Sequence, residues 1–173
     1  QPLTLQELVR HTAVTFGQDD ITLPADIPSD VSVQFAKTRP VTVEIENGQL
    51  WITLRVLRLR RGDRKGLTQF IVRAAYSPQV DGAKAFLTRD GHLRISGPGM
   101  SARERLPIRA VFNKVLSPSR TLPLTLPGMV EHPAMDGLEV SQLELRDGWI
   151  AMAISERGAY KIALRGSKQS NRN

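Results

Sequence analysis

The chain has 173 residues, 24 lysines and arginines against 17 aspartates and glutamates, and no cysteine. That length suits one ordinary domain, burying roughly 70% of the surface its unfolded chain exposes, so neither disulfide nor metal is needed to hold it. The missing cysteine excludes thiol chemistry and cysteine-ligated zinc, and no apolar run nears the ~20 residues of a membrane-spanning helix.

The first element is a helix over residues 5–16. Thr4 and Glu7 have capping-box spacing, Leu3 and Leu8 can staple across it, and Leu5, Leu8, Val9, Thr12, Ala13 and Phe16 recur on one face. Gly17 stands where a C-terminal cap belongs. Asp19-Asp20, before Thr22-Leu-Pro, reads as loop.

From residue 31 the apolar period falls to two. Val31, Val33 and Phe35 alternate with polar residues, as do Val41, Val43 and Ile45, and Asn47-Gly48 is a strong hairpin turn signal. Residues 49–60 form the longest strand. Leu50, Ile52, Leu54 and Val56 share a face, but Leu57 and Leu59 fall on the other, predicting a bulge or strong twist near Val56. The tip Arg60-Arg-Gly-Asp-Arg-Lys-Gly66 leads into a strand over 68–77. Turns at Ser77-Pro78 to Asp81-Gly82 and at Asp90-Gly91 then separate strands over 83–89 and 92–96.

Gly97-Pro98-Gly99 introduces a second helix with a capping box at Ser101 and Glu104. Pro107 lacks an amide donor, so the expectation is a short turn at 102–106 and a main helix over 107–117 with Ile108, Val111, Phe112, Val115 and Leu116 on its apolar face. Residues 122–127 read as an extended edge segment, because Pro123 and Pro127 cannot donate to a ladder. After a loop holding His132-Pro133 and Asp136-Gly137, residues 138–146 and 149–155 form a hairpin about Asp147-Gly148, and residues 160–164 a last short strand. The sum is an α+β domain over residues 1–165: a strongly twisted or curled antiparallel β-meander packed with two amphipathic helices. A polar tail over 166–173 reads as disorder or linker.

Charge is distributed unevenly. Residues 1–50 hold 3 basic and 7 acidic residues, residues 51–120 hold 15 and 4, and the remainder 6 and 6. Twelve of the fifteen central cations are arginine, whose fork matches carboxylate and phosphate, so an anionic partner fits; a solvated basic sheet face is the plainer explanation. Arg61-Gly62-Asp63 matches an adhesion tripeptide, yet glycine and charge are what any solvated turn uses. Gly97-Pro98-Gly99 lacks the lysine of a phosphate loop, the Asp-Gly pairs lack a calcium loop's alternating ligands, and His11, His92 and His132 are scattered. No nucleophile elbow or acid pair is evident, so the chain reads as non-catalytic and without cofactor or metal. Aromatics, at 5% of residues, are too few to interleave with the cations as single-strand binders require, which disfavours nucleic acid.

The order of helix, long meander, second helix and closing hairpin resembles the tubular lipid-binding fold of bactericidal permeability-increasing-like proteins and small bacterial envelope proteins. Residues 135–150, Met-Asp-Gly-Leu-Glu-Val-Ser-Gln-Leu-Glu-Leu-Arg-Asp-Gly-Trp-Ile, carry most of the likeness. The resemblance implies a periplasmic or secreted setting and an apolar groove for a lipid or other amphiphile. Leu54, Val56, Phe70, Val72, Val111, Phe112, Val115, Ile150 and Met152 would line it, and Arg55, Arg58, Arg60 and Arg61 would hold an anionic headgroup at its mouth. Ordinary core packing is the competing account of the same apolar residues. The competing function is a module of a larger polypeptide that binds an anionic protein or polymer.

Overall fold

The computed structural model describes residues 2–15 and 27–159. Gly17, Asp19-Asp20, the strand expected over 160–164 and the tail over 166–173 lie outside the described residues. In chain order the elements are β1 (Leu3–Thr4), α1 (Leu5–Thr15), β2 (Val31–Phe35), β3 (Val41–Glu46), β4 (Gln49–Arg61), β5 (Leu67–Asp81), β6 (Lys84–Ser96), α2 (Ala102–Val115), β7 (Leu122–Pro123), α3 (Pro127–Val130), β8 (Leu138–Arg146) and β9 (Trp149–Glu156). This is an α+β fold built on a strongly curled antiparallel half-barrel.

The sheet runs β1-β2-β4-β5-β6-β7, with β3 also on β4. β2 and β3 share one edge of β4: Val31–Phe35 pairs with the stretch Val56–Arg61, and Val41–Glu46 with Gln49–Leu54. Residues 36–40 leave the ladder between them, tied back by Ala36 N–H to Arg55 O and Arg55 N–H to Pro40 O. The face change anticipated near Val56 is a bulge. Gln34 pairs with Arg58 and Phe35 with Val56, so Leu57 is the extra residue. Leu57 therefore points outward, and Leu59, expected on the outer side, returns to the buried side with Val56.

Of the two expected turns, the first survives only at its Gly82 end and the second is not a turn. β5 continues through Pro78, which pairs with Leu87. The β4 ladder ends at Leu50 opposite Tyr76, so beyond that point β5 has a neighbour on one side only, and the missing proline N–H deprives no partner. Asp90-Gly91 sits inside β6. The register passes from Arg73–Arg94 to Ala75–Asp90, and Gly91 takes the left-handed conformation (φ +67°) within the bulge. The hairpin turn is Gly82-Ala83, between the paired Asp81 and Lys84, at the far end of the first expected stretch.

α1 begins on its capping box, with Thr4 N–H donating to Glu7 at 2.7 Å and Glu7 N–H to Thr4 Oγ1 at 3.2 Å. α2 begins on the second, Ser101 with Glu104. It is one continuous helix, not a turn followed by a helix, and Pro107 occupies its sixth position. Its carboxyl end is met by cations: Arg89 donates to Leu116 O at 2.5 Å and Asn113 Oδ1 at 2.8 Å, and Arg120 to Val115 O at 3.3 Å. Burial lowers both guanidinium pKa values and raises that of the neighbouring Tyr76 phenol.

Both helices pack on the inner face of the sheet. Leu5, Leu8 and Val9 of α1 and Ile108, Phe112 and Val115 of α2 share one core with Ile52, Leu54, Val56, Phe70, Val72 and Tyr76. Each such side chain contributes roughly 1.5–3 kcal/mol by leaving water. The β8–β9 hairpin forms a separate two-stranded sheet that joins this core through Leu145, and Val140 N–H donates to Gly82 O at 2.8 Å.

Candidate functional site

Two grooves flank α1 on the inner side. The first, about 620 Å³, is mainly apolar. Leu8 and Thr12 of α1, Val41 and Val43 of β3, Leu54 of β4 and Val115 of α2 line it, with Lys37 and His11 as its charged or titratable groups. Val41 and Val43 are exposed there, and Ala36, Lys37 and Pro40 of the segment between β2 and β3 line the same groove.

The second groove, about 490 Å³, lies between α2, the end of β4 and the β4–β5 hairpin tip. Leu5, Val31, Leu59, Leu67, Pro107 and Val111 give it an apolar wall. Arg60, Arg61, Arg64, Lys65, Arg103 and Lys114 give it a cationic one. Its one lining carboxylate, Glu104, is already engaged: Ser101 donates to it through backbone N–H and hydroxyl, both at 2.8 Å. Those bonds hold the Glu104 carboxyl below its ordinary pKa. Arg61 pairs with Asp30 at 3.1 Å and Arg60 with Asp63 at 3.2 Å, all four side chains being largely exposed. Such pairs are worth about 0–1 kcal/mol each and leave both guanidinium groups open to exchange for a stronger anion.

The residues singled out in the sequence divide among several places. Arg60, Arg61 and Val111 meet in the cationic groove. Leu54 and Val115 line the apolar groove. Val56, Phe70, Val72 and Phe112 are core, and Phe70 and Phe112 meet edge to face at 6.2 Å. Ile150 and Met152 are not brought to either groove; they are exposed on β9. Arg55 and Arg58 alternate with core residues and pair beside Ile71 and Thr68, which puts them on the outer sheet face, away from Arg61.

The outer face holds a second cationic arrangement. Trp51, 7% exposed, has the guanidinium groups of Arg73 and Arg94 over its ring at 4.7 and 4.5 Å. Glu44 and Glu46 approach Arg73 at 3.9 and 3.7 Å.

The groove cations that sequence reasoning missed are Arg64, Lys65, Arg103 and Lys114, and of its apolar wall it missed Leu5, Val31, Leu59, Leu67 and Pro107. A signal for Arg103 and Lys114 was present: positions 103, 107, 111 and 114 fall on one helical stripe beside the buried one.

No family model, curated protein or solved structure matches the chain. Among the described residues no helix is long and apolar enough to cross a membrane, and no group of three or more metal-ligating side chains gathers.

Proposed function

We propose that the protein is a non-catalytic binding domain for an amphiphile with an anionic head, held in the groove between α2 and the β4–β5 tip. The observation that carries this reading is the meeting of six cations with an apolar wall of Leu59, Leu67 and Val111 in one cavity of about 490 Å³. That volume falls within the ordinary span of small-ligand sites. Arginine forks bind phosphate or carboxylate through paired, charge-assisted hydrogen bonds, and the aliphatic wall takes an alkyl chain. The exposed Asp30 and Asp63 are weak competitors that a bound headgroup displaces.

The test is calorimetric titration with dodecyl phosphate and with dodecanol. The phosphate binds and the alcohol binds at least about tenfold more weakly, since charge-assisted bonds are worth roughly 1.5–3 kcal/mol. Arg61→Glu with Arg103→Glu removes the difference. Equal affinity for the two ligands, or phosphate binding untouched by these substitutions, overturns the proposal.

A second reading has its own observation. Arg55 and Arg58 lie on the outer face that also bears the Arg73–Trp51–Arg94 stack, a surface suited to an acidic protein or polymer. Binding of that kind is lost in Arg55→Glu/Arg58→Glu and survives Arg61→Glu/Arg103→Glu, the reverse of the groove pattern.

A further inference from the structure

β9 is an edge strand of an unusual kind. Its first six residues, Trp149-Ile-Ala-Met-Ala-Ile154, carry no charge, proline or glycine. Among the described residues it pairs with β8 alone. Trp149 is 77% exposed, Ile150 44%, Met152 37% and Ile154 41%. Edge strands are normally blunted by lysine, proline or a bulge, and the bulge in this hairpin lies on β8, between Val140 and Gln142.

The register fixes which backbone groups are open. Asp147-Gly148 is a two-residue turn with both residues left-handed, so Arg146 and Trp149 form the first hydrogen-bonded pair. Residues 149, 151 and 153 therefore turn their N–H and C=O toward β8. Consistent with that parity, Ala153 O accepts from the Ser141 hydroxyl and Arg157 N–H donates to Gly137 O. Ile150, Met152 and Ile154 turn theirs outward. The same three side chains stand on one face, opposite Leu145, Leu143 and Val140.

We infer that β9 pairs antiparallel with β9 of a second copy, about a two-fold axis through Met152. A second copy is favoured over another occupant because the strand is its own complement in that register. Met152 faces Met152, Ile150 faces Ile154 and Ala151 faces Ala153, so the apolar face stays continuous across the axis. Every outward N–H and C=O of the three residues finds a partner. Beyond the strand ends Asp147, which is exposed and only loosely paired with Arg146 at 3.6 Å, comes beside Arg157 of the second copy, a charge match at both ends. The two-stranded β8–β9 sheet becomes four-stranded, with the uncovered apolar row at its centre.

Sedimentation velocity on the whole chain reads the outcome. The expected result is a concentration-dependent dimer. Met152→Arg sets two arginines against each other on the axis and weakens the dimer by about a hundredfold or more. Asp147→Arg and Arg157→Asp each weaken it by about threefold to tenfold, and the double exchange restores it. These positions are exposed, and unchanged circular dichroism and melting show that the variants are folded. A monomer at every attainable concentration overturns the inference, as does a dimer indifferent to Met152→Arg. A photo-crosslinker at Trp149 identifies the occupant. Crosslinks to residues 151–157 of a second copy support the inference; crosslinks within one chain to residues 160–173, or to a different protein, overturn it.

Discussion

Replacing Phe112 with alanine separates a packed core from a ligand-lined cavity. Phe112 is 0% exposed, sits on the inward stripe of α2 with Ile108 and Val115, and meets Phe70 edge to face at 6.2 Å. Truncation removes a fully buried ring and opens a void between α2 and β5 that the surrounding strands close only in part. Buried Phe→Ala changes cost roughly 3–5 kcal/mol, of which the edge-to-face pair supplies about 0.5–1.5. For a domain with a total stability of about 5–15 kcal/mol, that is a large share. Urea unfolding of both proteins, followed by far-ultraviolet circular dichroism, measures it: the midpoint falls while the slope is unchanged. Phe70→Leu, combined with Phe112→Ala in a double-mutant cycle, isolates the ring–ring coupling. If Phe112 lined a solvent- or ligand-filled space, the apo protein would lose less than about 1 kcal/mol, and that result would refute the packing argument.

Other consequences follow from local geometry. Glu104 has its pKa lowered by the capping bonds from Ser101, so the cap contributes fully above the ordinary carboxylate value of 4.5 and fades as pH falls through the lower folded value. Glu104→Gln should therefore lower the melting temperature at pH 6, and the difference should shrink as the pH is taken down well below 4.5, as scanning calorimetry would show. Pro107→Ala supplies the missing amide at the sixth position of α2, so it should stabilise by about 1–3 kcal/mol in urea unfolding; a loss would mean the helix is not continuous there. A Cβ on Gly66 would stand 2.7 Å from Leu59 O, a backbone atom, so Gly66→Ala should cost about 1–3 kcal/mol by thermal unfolding.

Local chemistry made part of the fold legible. Both capping boxes, the Asn47-Gly48 and Asp147-Gly148 hairpins and the bulge after Val56 were readable, because each is decided by a few neighbouring residues. Pro78 and Asp90-Gly91 misled for the same reason. Proline tolerates a strand where one neighbour has already ended, and left-handed glycine serves a bulge as well as a turn; which applies depends on how far β4 extends, a non-local fact. The site was legible in kind but not in membership. Arg60, Arg61 and Val111 meet only because α2 crosses the end of β4. Arg55 and Arg58, with the Leu57 bulge between them, alternate to the other face, and Arg60, two residues beyond Arg58, lines the groove only because β4 ends there at the tip. Ile150 and Met152, which the resemblance alone placed in a groove, stand exposed on β9, opposite Leu145 and Leu143 of β8.

Native mass spectrometry before and after mild organic extraction tests the central claim most directly. The account predicts a co-purifying anionic amphiphile that extraction removes, that returns from vesicles of anionic lipid, and that Arg61→Glu/Arg103→Glu no longer retains. A clean apo mass, with no uptake from those vesicles by the unsubstituted protein, would contradict it.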